Sequence, residues 1–141
     1  MTELSEADGK VFRIEVDPGL TPTEIEHLQW RAQSAGLAAD FYAVAVADDA
    51  VFAVPSPQAS LSRQILLNEV AGAPPIETYQ ILEFHERDLG ADARIVFYEM
   101  YQKRIGLDGI YAAISTVYVR RGERWLMLYH QQTPLRRGTA E

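Results

Sequence analysis

His130 lies in the largely apolar run Trp125 to Gln132, where an imidazole can move a proton near neutral pH or hydrogen-bond a ligand. The alternative is a buried ring satisfied by a neighbouring hydroxyl or backbone carbonyl. Gln132 shares the face of His130 if the run is a strand, and it either orients a polar ligand or finishes the sheet. Glu99 is the second acid–base candidate. At strand spacing it falls between Phe97 and Tyr101 on one face, an apolar setting that raises a carboxyl pKa. Paired with an arginine on a neighbouring strand, or facing water, it would have no such role. Ser115 has no nucleophile-elbow context, and the chain carries no phosphate- or dinucleotide-binding glycine pattern, so Ser115 is a polar contact rather than a nucleophile. Trp30, Tyr42 and Tyr101 either line an apolar pocket or serve as core. Glu83 and His85 alternate and could present two metal ligands, but a site needs a further convergent ligand and none is evident. No metal or other cofactor is therefore expected. Asp48-Asp49 resembles a carboxylate pair, yet adjacent side chains diverge, and one aspartate at a turn ordinarily fixes backbone amides.

Positioning these residues requires sheets, and the last third of the chain supplies them. Gly109 to Pro134 is two runs rich in β-branched and aromatic residues, interrupted at Arg120-Arg121-Gly122-Glu123-Arg124, which predicts a long antiparallel hairpin. A turn centred on Gly122 and Glu123 puts Ala113, Ser115, Val117 and Val119 on one face with Leu126, Leu128, His130 and Gln132. Ile114, Thr116, Tyr118 and Arg120 then share the other with Trp125, Met127, Tyr129 and Gln131. Both faces are largely apolar, so helices should cover one and a partner subunit the other. Upstream, Tyr79–Glu86 and Arg94–Arg104 read as further strands, and Val51–Val54 and Val11–Val16 as short ones. Thr21-Pro22-Thr23-Glu24 has the parts of a capped helix start, with Ile25, Leu28, Ala32 and Ala35 at helical spacing and Gly36 as the stop. A second helix is expected over Asp40–Val46, buried through Phe41, Val44 and Ala45. A third opens at Ser60-Leu61-Ser62, carries Ile65, Leu66 and Val70, and cannot pass Gly72 and Pro74-Pro75. Helices preceding a run of antiparallel strands predict an α+β fold, with helices on one sheet face.

At 141 residues the chain is read as one domain, able to bury a core without staples. Residues 21–134 form that domain, 1–20 a polar and partly mobile extension, and 135–141 a tail. The absence of cysteine excludes disulfides and thiolate metal sites and fits a cytoplasmic location. A formal net charge of -7 argues against a nucleic-acid surface. No apolar run approaches the roughly 18 residues of a membrane span, and Met1–Lys10 lacks signal-peptide character, so no membrane association is expected.

Several segments resemble the nuclear transport factor 2-like superfamily, also called SnoaL-like or ketosteroid-isomerase-like. The resemblance rests on Ala47-Asp48-Asp49-Ala50-Val51-Phe52, Leu61-Ser62-Arg63, Ala73-Pro74-Pro75, Val117-Tyr118-Val119-Arg120-Arg121 and Trp125 leading to His130-Gln131-Gln132-Thr133-Pro134. Their spacing is most similar to the branch called domain of unknown function 4440, over Thr21 to Pro134. The resemblance implies a cystatin-like α+β cone, with N-terminal helices packed in a curved antiparallel sheet, a pocket at the open end and a homodimer through the outer sheet face. It also implies a choice of activities. The ketosteroid isomerases carry a general-base carboxylate before a proline, where this chain has Val54 before Pro55. Their phenol donor falls where this chain has Gln29, so that arrangement for proton transfer is missing. The expected function is binding of a small apolar or aromatic ligand by Trp30, Tyr42, Glu99, Tyr101, Ser115, His130 and Gln132. An isomerase, cyclase or dehydratase using Glu99 or His130 is the enzymatic alternative, and a dimerisation module with a filled cone the structural one.

Overall fold

In the computed structural model, residues 2–7 and 10–136 are described, with side chains over 16–136. Two strands, β1 (Thr2–Ala7) and β2 (Lys10–Glu15), pair antiparallel as a separate ribbon. Helix α1 (Pro22–Ser34) begins as its sequence requires. Glu24 N–H donates to Thr21 Oγ1 at 3.2 Å and Thr21 N–H to Glu24 Oε1 at 2.9 Å, closing a capping box. It ends on Gly36, at φ 77, a left-handed conformation that costs a side-chain-bearing residue. Leu37 N–H reaches back to Ala32 C=O and Gly36 N–H to Gln33 C=O, satisfying two terminal carbonyls. Ile25, Leu28 and Ala32 are buried, whereas Ala35 is exposed because it is the C-cap.

Helix α2 (Ala38–Ala45) runs directly into β3 (Val46–Ala53), a longer strand than the short apolar run suggests because it includes Asp48-Asp49. Helix α3 (Arg63–Ala71) follows a two-residue strand, β4 (Leu61–Ser62), and is capped by Ser62 Oγ accepting from Ile65 N–H. Four long strands complete the chain: β5 (Ile76–Gly90), β6 (Ala93–Arg104), β7 (Ile110–Arg121) and β8 (Arg124–Leu135). The main sheet has the order β4-β3-β8-β7-β6-β5, with β3 parallel to β8 and the other neighbours antiparallel. The helices close over one face of this curved sheet, giving an α+β cone whose core is built from Ile25, Trp30, Phe41, Phe52, Tyr98, Ile114, Tyr118 and Met127.

Residue-level register decides which side chains enter the cone. On β6 the buried set is Val96, Tyr98, Met100 and Gln102. Ile95, Phe97, Glu99 and Tyr101 take the outer face. On β7 the buried set is Ala112, Ile114, Thr116 and Tyr118. The β7–β8 hairpin turns at Gly122-Glu123, but it is not continuous: Val117 pairs with Tyr129 and Tyr118 with Met127, leaving Leu128 as an extra residue. That bulge reverses the alternation. Trp125 and Met127 point inward before it, and His130 points inward after it. His130 therefore shares a face with Thr116 rather than with Ser115, which corrects the face assignment made from uninterrupted alternation.

Candidate functional site

The inward face of α1 is unusual in carrying Glu26, Gln29 and Gln33 beside Ile25 and Trp30, all buried. Glu26 has no solvent exposure, so its carboxyl must be satisfied within the protein. Tyr118 Oη donates to its Oε1 at 2.6 Å. Its Oε2 accepts from Tyr98 Oη in a short bond, from Thr116 Oγ1 at 2.9 Å and from Gln29 Nε2 at 3.2 Å. Burial pushes the Glu26 pKa up, and the donors from Tyr118, Tyr98, Thr116 and Gln29 pull against it. The same burial, together with the negative field of Glu26, raises the phenols of Tyr98 and Tyr118 well above their ordinary value. Trp30 Nε1 donates to Tyr98 Oη at 2.6 Å, so Trp30 is a core residue that orients the cluster.

From Glu26 two chains of hydrogen bonds lead outward. In the first, Thr116 Oγ1 lies 2.7 Å from His130 Nδ1, and His130 Nε2 lies 3.0 Å from Gln132 Nε2. An amide nitrogen only donates, so His130 Nε2 accepts and Nδ1 carries the proton. Thr116 then accepts from His130 and donates to Glu26. The imidazole is fully buried between Phe52 and Trp30, with ring centroids 5.1 and 6.4 Å away. Desolvation pushes its pKa down to about 3, which holds it neutral. In the second chain, Gln29 Oε1 accepts from Tyr42 Oη at 2.5 Å, Tyr42 Oη accepts from Gln33 Nε2 at 3.0 Å, and Gln33 Oε1 accepts from Arg104 Nη2 at 2.7 Å.

Both chains end at one cavity of about 520 Å³ in the open end of the cone. Phe52, Leu61, Leu66 and Val70 form apolar wall; Gln33, Tyr42, Gln102, Arg104, His130 and Gln132 supply the polar lining. Glu69, Leu107, Asp108 and Ile110 belong to the lining and are exposed, which places them at the rim. Gln102 is 4 % exposed, and among the described residues its Oε1 finds no hydrogen-bond partner. Arg104 donates to Pro74 C=O at 2.7 Å as well as to Gln33. Among the described residues no carboxylate lies within ion-pair distance of it, and burial lowers its pKa from the usual guanidinium value.

Of the residues singled out in the sequence, Tyr42, His130 and Gln132 meet at this cavity. Trp30 packs in the core behind it. Glu99, Tyr101 and Ser115 do not meet it, because odd-numbered positions of β6 and β7 project from the outer sheet face. There Tyr101 lies 5.2 Å from the Tyr111 ring and Ser115 Oγ donates to Gln131 Oε1 at 2.5 Å. His85 also leaves the interior and stacks 5.2 Å from Phe97. Glu83 sits in the register shift between Leu82 and His85 with φ 55, which disrupts the alternation that would have aimed both side chains together. Asp48 and Asp49 diverge as expected, toward Arg63 and Arg121. Among the described residues, no three acidic or histidine side chains converge to hold a metal, and no helix is long and apolar enough to cross a membrane. Sequence reasoning missed Glu26, Gln33, Gln102 and Arg104. Gln33 is in phase with Trp30 on α1, and Gln102 and Arg104 continue the Val96-Tyr98-Met100 face, which alternation alone does not mark as the inward one.

No sequence-family model and no curated protein sequence matches the chain. Solved structures do. An NTF2-like protein of unknown function in nutrient uptake from Rhodospirillum rubrum superposes with TM-score 0.72 at 16% identity, covering 83% of this chain and 100% of the other. A protein named as a ketosteroid isomerase from Parabacteroides distasonis gives TM-score 0.69 at 13% identity over 83% of this chain and 89% of its own. A protein from Thiobacillus denitrificans, named for the association domain of calcium/calmodulin-dependent protein kinase type II, gives 0.66 at 26% identity over 86% and 99%.

Proposed function

The chain has the nuclear transport factor 2-like, cystatin-like fold, and from that premise we propose that it binds a small molecule in the open end of its cone. The fold hosts many activities and selects none, so the reading is carried by the cavity. At about 520 Å³ it falls within the roughly 300–1,000 Å³ of small-molecule sites, and its mixture of apolar wall and few convergent polar groups is the usual form of one. A cone filled by its own side chains would leave no such volume. Titration with the fluorescent probe 8-anilinonaphthalene-1-sulfonate tests this. Saturable binding to the folded protein, lost in Leu66→Trp without loss of the cooperative unfolding transition, supports the reading. Equal probe binding by both proteins refutes it.

A second reading, proton transfer on the bound molecule, is favoured by the Gln132–His130–Thr116–Glu26 chain, which joins the cavity lining to a buried carboxyl. Glu99 has no part in it. For a substrate identified in the cavity, Thr116→Val should abolish turnover and Ser115→Ala should leave it intact. The reverse pattern would remove the catalytic assignment. We keep the homodimer as part of the proposal, since Phe97, Tyr101, Val117 and Tyr129 leave the outer sheet face largely apolar; sedimentation equilibrium at the monomer mass would contradict it.

A further inference from the structure

Resting on the reading of the cone as a small-molecule site, we infer that its occupant is an amphipathic carboxylic acid, held by its carboxylate at Arg104 with its apolar body against Phe52, Leu61 and Leu66. Arg104 carries the head-group argument, and Gln102 adds a polar contact beside it. Arg104 is half-buried at the cavity wall, and among the described residues both its partners are neutral carbonyl oxygens, from Pro74 and Gln33. A guanidinium has five N–H groups, so donors remain for a ligand, and a partly desolvated cation with no carboxylate paired to it among the described residues is stabilised most by an anion. Gln102 lies two residues earlier on the same inward face of β6, and its amide is buried with an unsatisfied oxygen. Buried polar atoms without partners are uncommon in native proteins and call for water or a ligand. The atom left over is an acceptor, and an ionised carboxylate only accepts, so Gln102 calls for a donor beside the head group, a hydroxyl of the occupant or a water.

The body of the ligand follows from the remaining lining. Phe52, Leu61 and Leu66 are buried, and Leu107 and Ile110 carry the apolar surface on to the rim. A water-sized group occupies about 30 Å³, so about 520 Å³ accommodates on the order of fifteen non-hydrogen atoms. Glu69 and Asp108 are the negative charges at this cavity. Both are exposed, and neither forms an ion pair with Arg104, so solvent and salt screen them from a head group at the guanidinium.

Three probes of one length separate the head-group claim from the cavity claim: octanoate, 1-octanol and octylamine, titrated by calorimetry at neutral pH. The expected result is octanoate binding at least tenfold tighter than either of the others. Arg104→Met should make the octanoate and 1-octanol affinities equal, and Arg104→Lys should restore part of the difference. Because Arg104 also ties Pro74 to Gln33, retention of 1-octanol binding reports that the variant cavity is intact. Equal affinity of the wild-type protein for octanoate and 1-octanol overturns the carboxylate assignment and leaves the small-molecule reading standing. Absence of binding by all three, with no ligand-induced rise in melting temperature, overturns both.

Discussion

Acidification should destabilise this protein through His130, and the magnitude follows from its surroundings. The ring has no exposure, and burial lowers its pKa to about 3, against about 6.5 in an unfolded chain. Between those values the unfolded state binds the proton and the folded state does not, so stability falls as pH falls. The contribution is fully present above about pH 6.5 and is lost progressively toward pH 3. At about 1.4 kcal/mol per pH unit the whole interval amounts to about 5 kcal/mol, of which about 2 kcal/mol is gone by pH 5. Glu26 works in the opposite direction, since its raised pKa favours proton uptake by the folded state, so the total slope must be compared with a variant. His130→Gln keeps a group able to bond Thr116 and has nothing to titrate. Urea unfolding at pH 7.5 and pH 5.0 should show the wild type losing about 2 kcal/mol more than His130→Gln. Equal losses would mean that His130 is solvated enough to take a proton in the folded state, and the description of a dry, neutral imidazole would be wrong.

The other expectations concern the scaffold. Glu26→Ala removes the common acceptor of Tyr98, Tyr118, Thr116 and Gln29, and chemical denaturation should register a loss of about 4 kcal/mol or more, since each stranded buried donor costs about 1–3 kcal/mol. Gly36→Ala forces a side chain into φ 77 at the end of α1, and should lower stability by about 1 kcal/mol in the same assay. Glu83→Asn places a residue tolerant of left-handed backbone at φ 55 and should raise the melting temperature; a fall would show that the Glu83 side chain, rather than its backbone, matters there.

Local chemistry made the helices and turns legible. Thr21-Pro22-Thr23-Glu24 and Gly36 bound α1, Ser62 opens α3, and Gly122-Glu123 forms the final turn, because caps and turns depend on residues close in sequence. The sheet interior was harder to read. Leu128 has nothing in its side chain that marks a bulge, yet by being unpaired it moves His130 from the face of Ser115 to that of Thr116. On β6 both faces are apolar, so alternation alone could not say that Met100 faces in and Glu99 out. Glu26 was hidden for another reason. A charged residue near a helix start reads as solvated, and only the tyrosines and threonine brought from β6 and β7 make its burial tolerable. The residues that matter most to the cavity are those whose environment is assembled from distant strands.

Native mass spectrometry bears most directly on the central claim that the cone is a small-molecule site. The protein is sprayed as purified and after incubation with millimolar octanoate and 1-octanol, first gently and then under denaturing conditions. A small molecule should accompany the protein in the gentle spectra and leave on denaturation. Bare protein mass in every gentle spectrum, with no retention of either added probe, would contradict it.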